Sequence, residues 1–248
     1  MAGIVAIAFF AGLMAGSFVS AVAYRVPRGM SIAGPRSQCP ACGAQIAAYD
    51  NVPLFSWIVL QGRARCCGAK ISWLYPLTEL TVALLWAATV LVYRHDAAEA
   101  VVGLVFVSVL AAVTLTDLEQ RIIPNKILLT GAILCLAIAV PFDTGSLAGR
   151  AAAAVGAGGL LFLVVLAYPK GMGMGDVKLT ATMGLFLGSA VAPALLLALL
   201  AGSTVGLVLI ARYGQRARKM AIPFGPFLAL GGVVGLLAGN ALLDLYLG

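Results

Sequence analysis

The feature that most constrains this chain is a series of apolar runs, which recur along most of its 248 residues. A helix of a soluble protein seldom holds about 18 or more consecutive apolar residues. Hydrophobic residues make up 62% of the chain and charged residues only 10%, so a water-soluble fold would lack polar surface. The sequence therefore predicts an integral membrane protein and excludes the soluble globular classes.

Eight of these runs are predicted to cross the membrane, which makes the fold an all-α polytopic one. A bilayer core of about 30 Å needs about 20 helical residues. The boundary between the sixth and seventh helices depends on Gly188, Ser189 and Pro193. We place the helices at residues 3–24, 74–93, 97–116, 126–141, 149–168, 178–192, 194–211 and 224–247.

The basic residues predict the orientation. The first helix has no Lys or Arg before Arg25, which favours a retained signal-anchor over a cleaved signal peptide. With eight helices, both termini lie outside and 14 of the 16 basic residues lie inside, as the positive-inside rule requires. Arg94 and Arg150 are the two outside. Topology and anionic lipid account for the net charge of +7, so no nucleic-acid partner is predicted. The residues placed inside are Arg25, Arg28, Arg36, Arg63, Arg65, Lys70, Arg121, Lys126, Lys170, Lys178, Arg212, Arg216, Arg218 and Lys219.

Residues 25–73 are predicted to form a cytoplasmic cysteine-rich domain, between a first helix in residues 1–24 and a seven-helix domain in residues 74–248. Disulfides do not suit the reducing cytoplasm, whereas two cysteine knuckles about 25 residues apart suit a tetrahedral structural zinc. A segment of this size has little core of its own, and a metal would supply folding energy. The candidate ligands are Cys39, Cys42, Cys66 and Cys67.

The second knuckle is irregular. Regular spacing would require a cysteine at position 64, where the chain has Ala64, and it offers the adjacent Cys66 and Cys67 instead. A three-cysteine site and a metal-free domain therefore remain as alternatives. Cys135 lies in the middle of a predicted helix and is interpreted as a small packing residue.

Most of the acidic residues are expected to be solvated or interfacial, but Glu79 lies about one turn inside the second helix. An ionised carboxylate there costs about 2.5 to 3.5 kcal/mol at full depth and less near the surface. We expect Glu79 to face the bundle, and we prefer a packing or hydrogen-bonding role to a direct part in a site. The acids assigned to loops or helix ends are Asp50, Asp96, Glu99, Asp143 and Asp244.

Two aspartates, Asp117 and Asp176, are the candidate catalytic residues. Asp117 ends the third helix in "TDLEQRIIPN", and Asp176 begins the sixth after the glycines of "GMGMGDVKL". The predicted topology places both at the cytoplasmic ends of their helices. Taken singly, Asp176 could cap a helix and Asp117 could pair with Arg121 or Lys126.

Together, two carboxylates at one depth suit an acid–base dyad, in which one takes a proton from water and the other protonates a substrate carbonyl. No rival catalytic set is evident. The sole histidine, His95, is placed outside and is expected to be an exposed loop residue.

The sequence resembles the type IV prepilin peptidases, which are leader peptidases and N-methyltransferases of the GxGD aspartyl protease class. The resemblance is carried by "AGSFVSAVAYRVPRG" (15–29), by the cysteine-rich stretch with "YPLTEL" (39–80), by "TDLEQRIIPN" (116–125) and by "GMGMGDVKL" (171–179). It implies that Asp117 and Asp176 are the protease residues, with Gly173 and Gly175 forming the GxGD turn. Glu119, two residues after the first aspartate, is assigned a supporting or surface role.

The resemblance also implies the substrate: a prepilin or pseudopilin with a short basic leader, cleaved at the cytoplasmic face of the bacterial inner membrane. Many members methylate the new N-terminus with S-adenosylmethionine, an activity associated with the cysteine-rich domain. The chain departs from the family pattern at Ser20 and in the second knuckle, and we identify no binding site for the methyl donor. An ion- or proton-coupled transporter and a non-catalytic, zinc-bearing assembly scaffold are the alternative functions.

Overall fold

The computed structural model of the protein describes residues 1–34, 36–169, 171–214 and 222–247. These residues form an all-α fold with eight long helices and one short helix, α2, and no strand beyond two isolated β-bridges. Lys170, Arg216, Arg218 and Lys219, all predicted to be cytoplasmic, lie outside the described residues. The helices are α1 (Ala2–Arg25), α2 (Phe55–Val59), α3 (Leu74–Val92), α4 (Ala97–Gln120), α5 (Asn125–Phe142), α6 (Leu147–Ala167), α7 (Met174–Leu187), α8 (Val191–Tyr213) and α9 (Gly225–Leu247).

Seven stretches within the described residues are long and apolar enough to cross a membrane. Six of them each correspond to one long helix, but the stretch Met174–Tyr213 contains both α7 and α8. A 3₁₀ turn at Gly188–Ala190 separates these two helices, and Gly188 has the positive φ of +56° that lets the chain reverse.

The packing on α9 shows that α8 runs back across the bundle. Ala190, before α8, lies against Gly239 near the end of α9, whereas Gly202, eleven residues into α8, lies against Phe224 just before α9. Helix α8 is therefore antiparallel to α9. Met183 and Leu187 of α7 lie against Gly232 and Gly235 of α9 in the same order, so α7 is parallel to α9, and α7 and α8 form a hairpin. The predicted fold class of about eight transmembrane helices with a small cysteine-rich domain between the first two is confirmed.

The sixth helix is displaced from its predicted position. It was expected at residues 178–192, but α7 runs from Met174 to Leu187. It begins earlier because Gly173 serves as its N-cap, and it ends earlier because the chain turns at Gly188 rather than at Pro193, which lies in the first turn of α8. At 14 residues, α7 is about 21 Å long, shorter than a bilayer core.

The core of the bundle is built around α4. Half of the residues in its apolar 18-residue stretch are buried, a larger share than in any other candidate span of the described residues. It packs against α1, α3, α5, α7 and α9. Phe106, Leu110 and Val113 are fully buried on it. Small residues let the other helices approach closely: Gly12 and Gly16 of α1 lie against α3, and Gly184 of α7 lies against the backbone of α6.

The connection from α1 to α3 carries the cysteines at one end of the bundle, called here the cysteine end. The segment has little core, because its buried residues in the described ranges 26–34 and 36–73 are Cys39, Pro53, Ser56 and Gly62. A bidentate ion pair between Arg65 and Asp50 joins its two halves. Because α3 leads away from this end and α4 returns, the C-terminus of α4 also lies at the cysteine end.

Candidate active site and metal centre

Asp117 lies in the last turn of α4 with 6% of its surface exposed. Its Oδ2 accepts a buried hydrogen bond of 2.8 Å from the backbone amide of Gly225, 108 residues further along the chain. Within the described part of the chain, neither Arg121 nor Lys126 comes within ion-pair distance of it. The carboxylate is therefore held by a backbone donor of α9, not by the ion pair considered from sequence.

Asp176 lies in the first turn of α7 and is 9% exposed. Its Oδ2 accepts a hydrogen bond of 3.2 Å from the amide of Gly173, the N-cap residue. The helix-capping interpretation thus describes how this side chain is held, since a carboxylate in this position satisfies a free amide and complements the helix dipole. Its other oxygen is not used by this bond.

Two contacts and one charge interaction bring the two aspartates to the same region. Gly175 lies against Ile123, with an idealised Cβ 3.0 Å from that of Ile123, because no side chain at Gly175 separates the first turn of α7 from the segment after α4. Lys178 Nζ donates to Asn125 Oδ1 at 3.1 Å. The charge of Asp117 also acts on Asp176. The glycines of the GxGD turn therefore allow α7 to begin beside the end of α4.

Glu79 and Glu119, the two other acids assigned a supporting role, have different surroundings. Glu79 is 8% exposed, and its Oε2 accepts the amide of Leu54 at 2.7 Å. Its Cα lies against Gly16 of α1, so it sits at the crossing of α1 and α3. Glu119 is exposed and lies within electrostatic reach of Tyr75 at the start of α3. Only Glu79 is buried, and its partner belongs to the cysteine-rich segment.

The four cysteines predicted from sequence come together, with all four Sγ atoms within 4.8 Å of one another. The Sγ atoms of Cys42 and Cys66 are 3.4 Å apart, and those of Cys39 and Cys67 are 3.7 Å apart. A tetrahedral zinc at about 2.3 Å from each sulfur suits such a group. The adjacent Cys66 and Cys67 therefore both reach the cluster.

The two knuckles have the same pattern of backbone hydrogen bonds. In the first, the amide of Cys39 bonds to Ala44 and that of Gly43 bonds back to Cys39; the second repeats both bonds with Ala64, Ala69 and Gly68. Both turn glycines have positive φ, of +73° and +70°. Ala64 thus has the backbone position equivalent to that of Cys39 but carries no thiol, and Cys66 supplies the fourth thiol of the cluster.

The electrostatics of the cluster favour a cation. The amides of Cys42 and Ala41 lower the pKa of Cys39 to about 7. By contrast, the hydrogen bond with the Cys42 thiol raises the pKa of Cys66 to about 12. Four thiolates cannot form side by side without a positive charge to offset their repulsion. A divalent metal would supply that charge, and the donor set suits zinc.

The remaining sequence candidates lie away from both sites. Cys135 is buried in α5 and lies 3.7 Å from the carbonyl of Leu185. His95 is exposed beside Arg94, at the end of the bundle opposite the cysteines. Gly225, in contrast, touches Asp117 but was not singled out from sequence. The signal was present in "IPFGPF", where two prolines enclose a glycine at the start of a helix.

The fold and the two sites define a polytopic helical membrane protein with paired buried aspartates and a four-cysteine knuckle segment. Comparison with known proteins gives the family. The profile described as Bacterial Peptidase A24 N-terminal domain matches residues 10–93, and that of the Type IV leader peptidase family matches residues 104–211. The chain belongs to the type IV leader peptidase family.

Curated relatives match over nearly the whole chain. A prepilin leader peptidase/N-methyltransferase of Bacillus subtilis is 33% identical and covers 97% of each chain. A protein of the same name from Aeromonas hydrophila is 34% identical over 96% of this chain and 92% of its own. Another from Pseudomonas putida is 34% identical over 92% of this chain and 88% of its own. No solved structure matches the chain at a significant level.

Proposed function

We propose that this protein is a membrane-embedded aspartyl endopeptidase that removes the basic leader from type IV prepilins or pseudopilins. The observation that carries the proposal is the pair of buried aspartates, Asp117 and Asp176, at one end of the bundle, each held by a backbone amide. Membership of the leader peptidase family and the names of the relatives support the substrate class.

The two carboxylates suit acid–base hydrolysis of a peptide bond. One aspartate, ionised, takes a proton from water as its oxygen attacks the scissile carbonyl carbon, and the other donates its proton to the carbonyl oxygen. The tetrahedral intermediate then collapses: the C–N bond breaks, and the leaving amine takes a proton. Two carboxylates that act on one scissile bond are expected to share one proton, because two neighbouring carboxylates do not both ionise easily.

We place the cysteine end at the cytoplasmic face of the bacterial inner membrane, with both termini outside. The positive-inside rule supports this orientation, because Arg25 at the end of α1 and five further basic residues between α1 and α3 lie at the cysteine end. A leader rich in Lys or Arg would remain on that side. Its cleavage site, just before the apolar helix of the pilin, would then lie at the depth of the two aspartates.

We further propose that the protein methylates the new N-terminal amine of the pilin. The relatives are named prepilin leader peptidase/N-methyltransferase, and the cysteine-rich segment is present here. The deprotonated amine would attack the methyl carbon of S-adenosylmethionine, the C–S bond would break towards sulfur, and a proton would pass to solvent. Zinc bound by the four cysteines would have a structural part, by holding the two knuckles together.

Purified protein incubated with a prepilin tests the peptidase. Asp117→Asn and Asp176→Asn should each reduce cleavage by roughly 10²- to 10⁴-fold or more, because each removes a group that transfers a proton. Asp244→Asn, on an exposed residue near the far end of α9, is the control for the substitution itself and should cleave normally. Continued cleavage by either dyad variant would reject the assignment, and no cleavage by the wild type of any prepilin would reject the activity.

The two alternatives are less well supported. Acids of a transporter are expected near the middle of the membrane, whereas Asp117 and Asp176 lie at one end of the bundle. A scaffold would not require the two carboxylates to lie together. The same incubation separates them from the peptidase, since neither a transporter nor a scaffold would release the leader.

A further inference from the structure

The start of α9 makes a close contact with Asp117 that the acid–base mechanism does not explain. Gly225 both donates its amide to Oδ2 of Asp117 and presents its Cα to the same side chain. A Cβ added at Gly225 would lie 2.7 Å from that Oδ2 and 3.2 Å from the Cβ and Cγ atoms of Asp117. The carboxylate, the amide and the bare Cα are therefore in one packed arrangement.

The absence of a side chain at Gly225 is explained by this contact and not by its backbone. Gly225 is not among the residues with positive φ, so an L-amino acid could adopt its conformation. Space is the constraint, because a methyl group there would displace Asp117 or lengthen the hydrogen bond. At other glycines, such as Gly206 of α8, an added Cβ would meet nothing within 4 Å.

The segment that carries Gly225 is itself fixed. Pro223 and Pro226 restrict the backbone on either side, and the carbonyl of Phe224 accepts the amides of Phe227 and Leu228 to begin the helix. The Phe224 ring lies on Gly202 of α8, where an added Cβ would be 2.8 Å from the ring. Helix α8, which is antiparallel to α9, thus holds the Gly225 amide in place.

Further along, α9 also lies between the two helices that carry the aspartates. Two turns after Gly225, Gly232 packs against Leu110 and Phe106 of α4 and against Met183 of α7. Gly225 and Gly232 are seven residues apart and therefore share a helix face. This face of α9 contacts Asp117 at Gly225, and it contacts both α4 and α7 at Gly232.

We propose that α9 is the third component of the proposed active site and that Gly225 is a positioning residue, which sets the orientation of Asp117 relative to Asp176. This inference rests on the proposed peptidase function. The amide selects one carboxylate oxygen and leaves the other for water or substrate, while the bare Cα fixes the side-chain rotamer. Gly232 keeps α4 and α7 at the spacing that this geometry needs.

The test compares Gly225→Ala with Gly206→Ala, a control on the neighbouring helix where the added methyl group is free. Gly225→Ala should lower kcat for prepilin cleavage roughly 100-fold, the effect of displacing a catalytic group by about 1 Å, while KM changes less than about twofold. Gly206→Ala should match the wild type. Both variants should keep the wild-type elution profile and melting temperature to within a few degrees.

A second variant covers the case in which Gly225→Ala fails to fold. Phe224→Leu loosens the contact with Gly202 without adding atoms near Asp117, and it should lower kcat roughly tenfold with KM retained. Wild-type kcat in whichever of the two variants folds would overturn the positioning role, as would a change confined to KM. A wild type that cleaves no prepilin would instead reject the proposed function, so the two failures are distinguishable.

Discussion

The ring of Phe106 on α4 stacks on the ring of Phe186 on α7, with centroids 4.8 Å apart and planes inclined by 24°. The two helices run in opposite directions. Asp117 follows Phe106 by eleven residues and Asp176 precedes Phe186 by ten, which is about 16 to 17 Å and about 15 Å along the helix axes. The stack therefore fixes the register in which the two aspartates lie at matching depth.

Removing one ring of this stack should destabilise the protein and lower cleavage. Phe186 is 3% exposed, and Phe186→Ala should cost about 3 to 5 kcal/mol because it leaves a cavity between α4 and α7. Phe142→Ala, on a ring that is 75% exposed, is the control and should have little effect. Thermal unfolding in detergent and cleavage by the folded fraction check this. Equal melting temperatures for the two variants would contradict it.

The bond between Glu79 and Leu54 should hold the cysteine-rich segment on the membrane helices. Leu54 has an unusual φ of +59° for a residue with a side chain, and its amide would be unpaired without the carboxylate. Glu79→Leu should cost about 1 to 3 kcal/mol, whereas Glu79→Gln retains an acceptor and should cost less.

Hydrogen exchange measures this effect locally. In Glu79→Leu, amides of residues 52–59 should exchange faster, while those at the middle of α4 should be unchanged. The Gln variant serves as the isosteric control. If residues 52–59 were as protected as in the wild type, the docking role of Glu79 would be excluded.

Arg150 should stabilise the C-terminal end of α7, opposite the end that carries Asp176. It is 6% exposed, forms ion pairs with Glu99 and Asp143, and donates to the carbonyl of Phe186 at 2.6 Å. Arg150→Met should cost about 3 to 5 kcal/mol, because it leaves Glu99 without its charged partner and the C-terminus of α7 uncapped. Adding Glu99→Gln should recover part of that loss, and melting curves of the single and double variants check the coupling. Additive losses would argue against a shared network.

The sequence predicts the helices and the four-cysteine group well, because both depend on local signals: apolar runs of sufficient length and cysteines at knuckle spacing. It does not predict the exact ends of α7. Gly188 and Pro193 are both turn-forming residues, and only the packing of Ala190 on α9 shows that the chain reverses at the first.

Contacts between distant residues are the part that sequence reasoning misses. The bond from Gly225 to Asp117 joins residues 108 apart, and the Glu79 bond depends on how the cysteine-rich segment folds back on α3. Arg150 and Glu99 were placed near the outer surface, and nothing local indicates that they pair across two helices. One sequence does not specify which of several polar residues at the same depth will meet.

Zinc binding should depend on the geometry of the two knuckles more than on the order of their cysteines. We expect about one zinc per chain by elemental analysis, lost in the double variant Cys39→Ser with Cys42→Ser, because two thiols alone do not complete a tetrahedral site. Because Ala64 has the backbone position equivalent to Cys39, a thiol placed there would point at the same centre. The variant Ala64→Cys with Cys66→Ala should therefore keep zinc at the wild-type level, with two regular knuckles. Cys66→Ala alone is its control and should bind less. Loss of zinc from the rearranged variant would show that the knuckles are not equivalent, and wild-type zinc in Cys66→Ala would show that three cysteines suffice.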